Sequence, residues 1–110
     1  MFFLVFATDK PGALETRREN KKAHVAHLDA GSAGLKVLQT GPWLGDDGNE
    51  AGSMLIFEAD DRGSVEAFMD ADPYARAGLF ETVQIRSWSW NRGNPYRAQE
   101  GVPQQAGSNQ

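Results

Sequence analysis

His24 stands three residues after Lys21 and seven after Arg17, so a helix carries all three side chains along one stripe. Two cations then flank an imidazole, the side chain best suited to exchange a proton near neutral pH, and the cations would draw in an anionic substrate. Much later, Asp72 precedes Pro73. The proline pushes the Asp72 backbone out of the helical region and leaves its carboxylate free to turn inward. A carboxylate bonded to an imidazole fixes the tautomer and makes the other ring nitrogen a better base. His24 and Asp72 are therefore the candidate catalytic residues, with Arg17 and Lys21 as candidate holders of substrate charge. Each has a plainer alternative. Arg17, Arg18, Lys21 and Lys22 form a charge run of the kind usually left in water, and Asp72 can serve simply to cap the turn from Pro73 to Ala77.

Four further residues are weaker candidates. Tyr74 offers a hydroxyl to a substrate if it faces the same cavity, and otherwise packs. Ser53 lacks a Gly-x-Ser-x-Gly elbow, so a hydrogen-bonding role is expected and a nucleophilic one is not. His27 lies one turn beyond His24, a spacing two metal ligands can use, but no third histidine is present. No metal is expected, and His27 reads as a helix-surface residue. Trp43, after Gly41-Pro42, reads as turn chemistry or as a wall for an apolar pocket. No phosphate-cradling loop or dinucleotide fingerprint occurs, so no nucleotide or nicotinamide cofactor is expected.

The elements that position these residues follow from periodicity. Phe2 to Ala7 is apolar on both alternating sets, Phe2, Leu4 and Phe6 against Phe3, Val5 and Ala7, which predicts a strand buried on both faces. Pro11 suits a first helical turn, and Leu14, Arg17, Lys21, His24 and Leu28 recur at helical spacing, predicting a helix from Pro11 to Ala30. Leu35 to Thr40 reads as a second strand closed by Gly41-Pro42, and the turn formers from Gly45 to Asn49 lead to a third strand, Ser53 to Ala59. Asp60 or Asp61 caps a second helix burying Val65, Phe68 and Met69. Leu79 to Trp90 forms the last strand, with Val83 and Ile85 on one face and Phe80, Thr82, Gln84, Arg86 and Trp88 on the other. The order predicts an α+β, ferredoxin-like βαββαβ fold, a four-stranded antiparallel sheet with two helices on one face. The other face, apolar at β1 and rich in tryptophan, calls for a second copy of the chain.

The 110 residues suit one domain, expected over 1–91, with 92–110 as a flexible C-terminal tail unless Tyr96 or Val102 docks. A net charge of −4 argues against nucleic-acid binding, and no apolar run is long enough for a membrane helix. The opening apolar run lacks a basic segment in front, so no signal peptide is expected. The absence of cysteine fits a reducing compartment, and a cytoplasmic location is the expectation.

An ordered set of motifs adds to this. Phe6-Ala7-Thr8-Asp9-Lys10, Arg17, Ala23-His24, Thr40-Gly41-Pro42, Gly52-Ser53, Asp72-Pro73-Tyr74 and Ala77-Gly78 together resemble the YCII-related family of small dimeric α/β-barrel proteins, over nearly all of Phe2 to Trp90. The resemblance implies dimerisation through the sheets and an active site built on a histidine and aspartate, which map onto His24 and Asp72. One branch is similar to muconolactone-isomerase-type proteins and includes a dehydrochlorinase acting on a chlorinated hydroxyhydroquinone. The expected function is thus a cofactor-independent lyase or isomerase acting on a small anionic metabolite. The alternatives are a non-catalytic dimeric module that binds or senses a small anion, and an interaction platform whose tail engages a partner. Lys21 departs from the arginine frequent at that place in relatives, which removes bidentate carboxylate binding there.

Overall fold

The computed structural model describes residues 1–96 and arranges them as β1 (Phe2–Asp9), α1 (Leu14–Ala30), β2 (Leu35–Leu44), β3 (Glu50–Ala59), α2 (Arg62–Ala71), α3 (Pro73–Arg76) and β4 (Phe80–Trp88). The four strands form one antiparallel sheet in the order β2-β3-β1-β4, the ferredoxin-like arrangement expected from the sequence. Residues opposite one another in antiparallel strands share a face. Phe3 and Val5 therefore stand beside Phe57 and Leu55 of β3 and beside Ser87 and Ile85 of β4. This face packs on Val65, Phe68 and Met69 of α2 to make the core. Asp61 caps α2 by accepting from the Ser64 N–H at 2.8 Å, and the Ser64 hydrogen bonds hold its carboxyl below the usual range.

The other face of the sheet is only partly covered within one chain, so β1 is not buried on both sides as the alternation predicts. Phe2 and Leu4 are half-buried and Phe6 is 40% exposed. Trp43 crosses β3 on this face. Its ring stacks on Phe6 at 5.1 Å and its Nε1 donates to the Ala7 carbonyl at 2.9 Å. Gly52 makes this possible, because a Cβ there would collide with the indole and with the Ala7 carbonyl. Trp43 thus covers the sheet instead of ending a strand or walling a pocket.

Other boundaries differ from those expected. α1 begins at Leu14, because Pro11 and Gly12 form a turn in which Gly12 takes φ 71°. β2 continues through Gly41 and Pro42 to Leu44, since an edge strand tolerates a residue without an N–H. β3 accordingly begins at Glu50, and β4 spans Phe80–Trp88. Phe80 packs on the core side, where its ring meets Tyr74 at 6.1 Å, because a bulge between Thr8 and Asp9 shifts the register there.

Beyond β4 the chain turns back over the partly covered face. Trp90 stacks on Trp88 and meets Phe2 edge-on at 5.7 Å, while the Tyr96 hydroxyl donates to the Leu38 carbonyl of β2. The first residues of the expected tail are therefore tied to the opposite edge of the sheet. Val102 lies outside the described residues. Among those described, no helix is long and apolar enough to cross a membrane.

Candidate active site

Only two residues of α1 are buried, and both are polar: Arg17 and His24. The charge run containing Arg17 is thus not wholly a solvated face. Asp9 at the end of β1 receives Arg17 Nε at 2.7 Å and Nη2 at 2.9 Å, and Nη2 also donates to Ser53 Oγ at 2.9 Å. The Arg17 and Asp9 side chains are 3% and 6% exposed. Burial alone would lower the Arg17 pKa, but the hydrogen bonds and charge of Asp9 outweigh it and the net shift is upward. Arg17 stays cationic, with its charge largely answered by Asp9. Its carbon Cζ lies 4.7 Å from the centre of the Tyr74 ring.

Nearly two helical turns further along, His24 meets Asp72. The aspartate is extended, with φ −62° and ψ 131°, as the following proline requires, and it caps α3 by accepting from the Tyr74 N–H at 2.9 Å. His24 Nδ1 lies 2.9 Å from both Asp72 oxygens. A carboxylate accepts and does not donate, so Nδ1 donates to it, and in the neutral imidazole the lone pair then sits on Nε2. Asp72 is completely buried, and it both caps α3 and accepts from the imidazole. Tyr74 stacks on the imidazole at 3.9 Å with 13° between the planes. Burial raises the Tyr74 pKa against the opposing charge of Arg17, which keeps the phenol protonated.

A cavity of about 170 Å³ opens between α1 and the β2–β3 hairpin. Arg17, Lys21, His24, Ser53 and Tyr74 all border it, so five of the six candidate residues meet at one place. The sixth, Asp72, stands behind His24. Ser53 and Tyr74 are buried, whereas Lys21 is exposed and supplies a cation at the mouth. A cavity of about 150 Å³ accepts benzene, so this one accommodates a single six-membered ring.

Asp9 and Glu50 were not singled out by type and spacing. Asp9 was visible only within the motif leading into α1, and its distance from Arg17 is set by the turn at Pro11-Gly12. Glu50 borders the cavity because β3 begins three residues earlier than its apolar pattern. His27 is half-buried instead of lying on the helix surface. It stacks on Phe68 at 4.1 Å, and its Nε2 lies 2.9 Å from the Phe68 carbonyl, tying α1 to α2. Among the described residues no group of three or more His, Cys, Asp or Glu side chains is placed to hold a metal ion.

Residues 1–89 match the YCII-related domain. The chain belongs to the YCII-related family. This YCII-related protein is 33% identical over 92 residues to Protein YciI of Escherichia coli, across 78% of the present chain and 94% of that one. It is also similar to a solved structure of 5-chloro-2-hydroxyhydroquinone dehydrochlorinase from Burkholderia phenoliruptrix in complex with 2,5-dihydroxybenzoquinone. The two share 38% identity and a TM-score of 0.73, covering 81% of this chain and 94% of the other. A structure of a protein from Agrobacterium tumefaciens, 12% identical with a TM-score of 0.53 over 86% of this chain and 98% of that one, shares the fold alone.

Proposed function

We propose that this YCII-related protein is a cofactor-independent lyase or isomerase acting on a small anionic ring metabolite. The observation that carries the reading is the buried His24–Asp72 pair, which engages Nδ1 and leaves Nε2 to act as the base, with His24 bordering a cavity edged by Arg17 and Lys21. Nε2 takes a proton from an O–H or C–H of the substrate. In an elimination, the electron pair left behind forms a new double bond, and the leaving group departs with its bonding pair, as chloride does from a chlorinated hydroquinone. In an isomerisation, Nε2 returns the proton to a different carbon. Neither course needs a redox partner. Lys21 and Arg17 steady the negative charge, Ser53 and Tyr74 position the ring, and Asp72 keeps the imidazole in the tautomer that accepts. The likeness to a dehydrochlorinase crystallised with a one-ring quinone, and a cavity of one-ring size, both support this class.

The test is a turnover screen on chlorinated hydroxyhydroquinones and muconolactones with the wild type and His24→Gln. Chloride release or double-bond migration is expected from the wild type, falling about 10²- to 10⁴-fold in the variant. Full activity in a folded His24→Gln protein overturns the reading. Saturable binding by the wild type without turnover replaces it with a non-catalytic anion-binding module.

The same proposal includes a homodimer formed through the partly covered sheet face. Phe6 and Met54 stand opposite one another there, 40% and 43% exposed, and each Å² of apolar surface removed from water contributes about 25 cal/mol. Light scattering at micromolar concentration is expected to give twice the chain mass, and a monomeric mass refutes the dimer.

A further inference from the structure

Glu50 borders the cavity together with Arg17 and Lys21. It is half-buried, and among the described residues it takes part in no ion pair and no side-chain hydrogen bond. Arg17 and Tyr74 both lie within reach of its charge. A pocket meant only to hold an anion gains nothing from a carboxylate on its rim, because like charges repel at this range. A carboxylate offers acceptors and no donor. A ligand that suits this rim therefore brings a donor to Glu50 while keeping its negative oxygen at the cations of α1.

We infer that Glu50 is a specificity-determining residue that selects single-ring monoanions bearing a neutral hydroxyl on the edge away from the anionic oxygen. This rests on the cavity being an anion site, as proposed above, and narrows the substrate class to hydroxylated ring anions. The hydroxyl donates to Glu50, which fixes the ring's orientation over His24 and sets which substituent faces Nε2. A ring without the hydroxyl gains the cationic contact but leaves the carboxylate facing an apolar edge. Charge-assisted hydrogen bonds are the strong ones, so the preference is expected to be about tenfold or more.

Titration calorimetry with benzoate, 3-hydroxybenzoate and 4-hydroxybenzoate tests this on the full chain, using wild type, Glu50→Ala and Glu50→Gln. The wild type is expected to bind one of the hydroxybenzoates about tenfold more tightly than benzoate. Glu50→Ala is expected to bring that ratio to about one, and Glu50→Gln, which keeps a neutral acceptor, to hold an intermediate value. Equal ratios in the wild type and both variants overturn the role of Glu50 while leaving the anion site standing. If the wild type binds none of the three, the anion site falls and the role of Glu50 with it. The Glu50→Gln protein preserves size and shape, so the comparison survives if the alanine variant does not fold.

Discussion

Asp72→Asn is expected to yield a folded protein whose turnover is lower by about 10³- to 10⁴-fold, because the substitution changes which imidazole nitrogen carries the proton. Asp72 now accepts from two N–H groups, His24 Nδ1 and the Tyr74 amide. Oδ1 receives the Tyr74 amide and shares the His24 N–H with Oδ2, so an asparagine that keeps its oxygen at Oδ1 places its NH₂ at the second position, against Nδ1. In that arrangement the NH₂ opposes the Nδ1 proton, which favours the tautomer in which Nδ1 accepts and the proton moves to Nε2. The cavity would then be met by a donor where a base is needed. If the amide flips, two donors face each other at Tyr74 and the start of α3 loses its cap. Either arrangement costs about 1–3 kcal/mol of stability. Nitrogen NMR of the imidazole, read beside steady-state kinetics and a melting curve, checks the argument. A folded variant with the Nε2-protonated tautomer and wild-type turnover would remove Asp72 from the chemistry.

Asp9→Ala is expected to be the most destabilising single change, by about 3–5 kcal/mol, since it strands a guanidinium that is 3% exposed. Arg17 loses both bonds to the carboxylate and keeps only the one to Ser53 Oγ. A loss of that size is a large share of the roughly 5–15 kcal/mol that holds a domain together. The double change Asp9→Ala with Arg17→Met removes the buried charge along with its partner and is expected to recover most of the loss. Urea unfolding of the two single variants and the double variant gives the coupling directly. If Asp9→Ala costs under about 1 kcal/mol, as solvent-exposed pairs do, the pair is not what seats α1.

Much of the scaffold can be read from alternation. Phe3 and Val5 on β1, and Val65, Phe68 and Met69 on α2, occupy the core their spacing implies. His24 and Asp72 were also legible, since the helical stripe and the proline fix where each side chain can point. The burial of Arg17 was not, because its neighbours in the sequence form a solvated run and its partner Asp9 is reached only through the Pro11-Gly12 turn. Pro42 resembles a strand terminator, and only its place on an edge strand removes the need for an N–H. Phe80 falls on the unexpected side because a single bulge breaks the alternation. These misses share a cause. Each depends on which strand or loop lies alongside, and that is settled by tertiary pairing and not by local period.

The seating of α1 gives the protein an unequal response to its solvent. Denaturant slope and heat capacity both scale with the apolar surface that water reaches. α1 is fastened through Arg17 to Asp9 and Ser53, His24 to Asp72, and His27 to Phe68, so lifting it breaks these polar contacts as well as uncovering Leu28 and the Tyr74 and Phe68 rings. Its detachment therefore responds to added salt, by charge screening once it begins to open, in addition to the urea and heat that act on the apolar part of the seat. The helix that carries the proton-handling side chain is in this sense an electrostatic latch laid on a hydrophobic chassis.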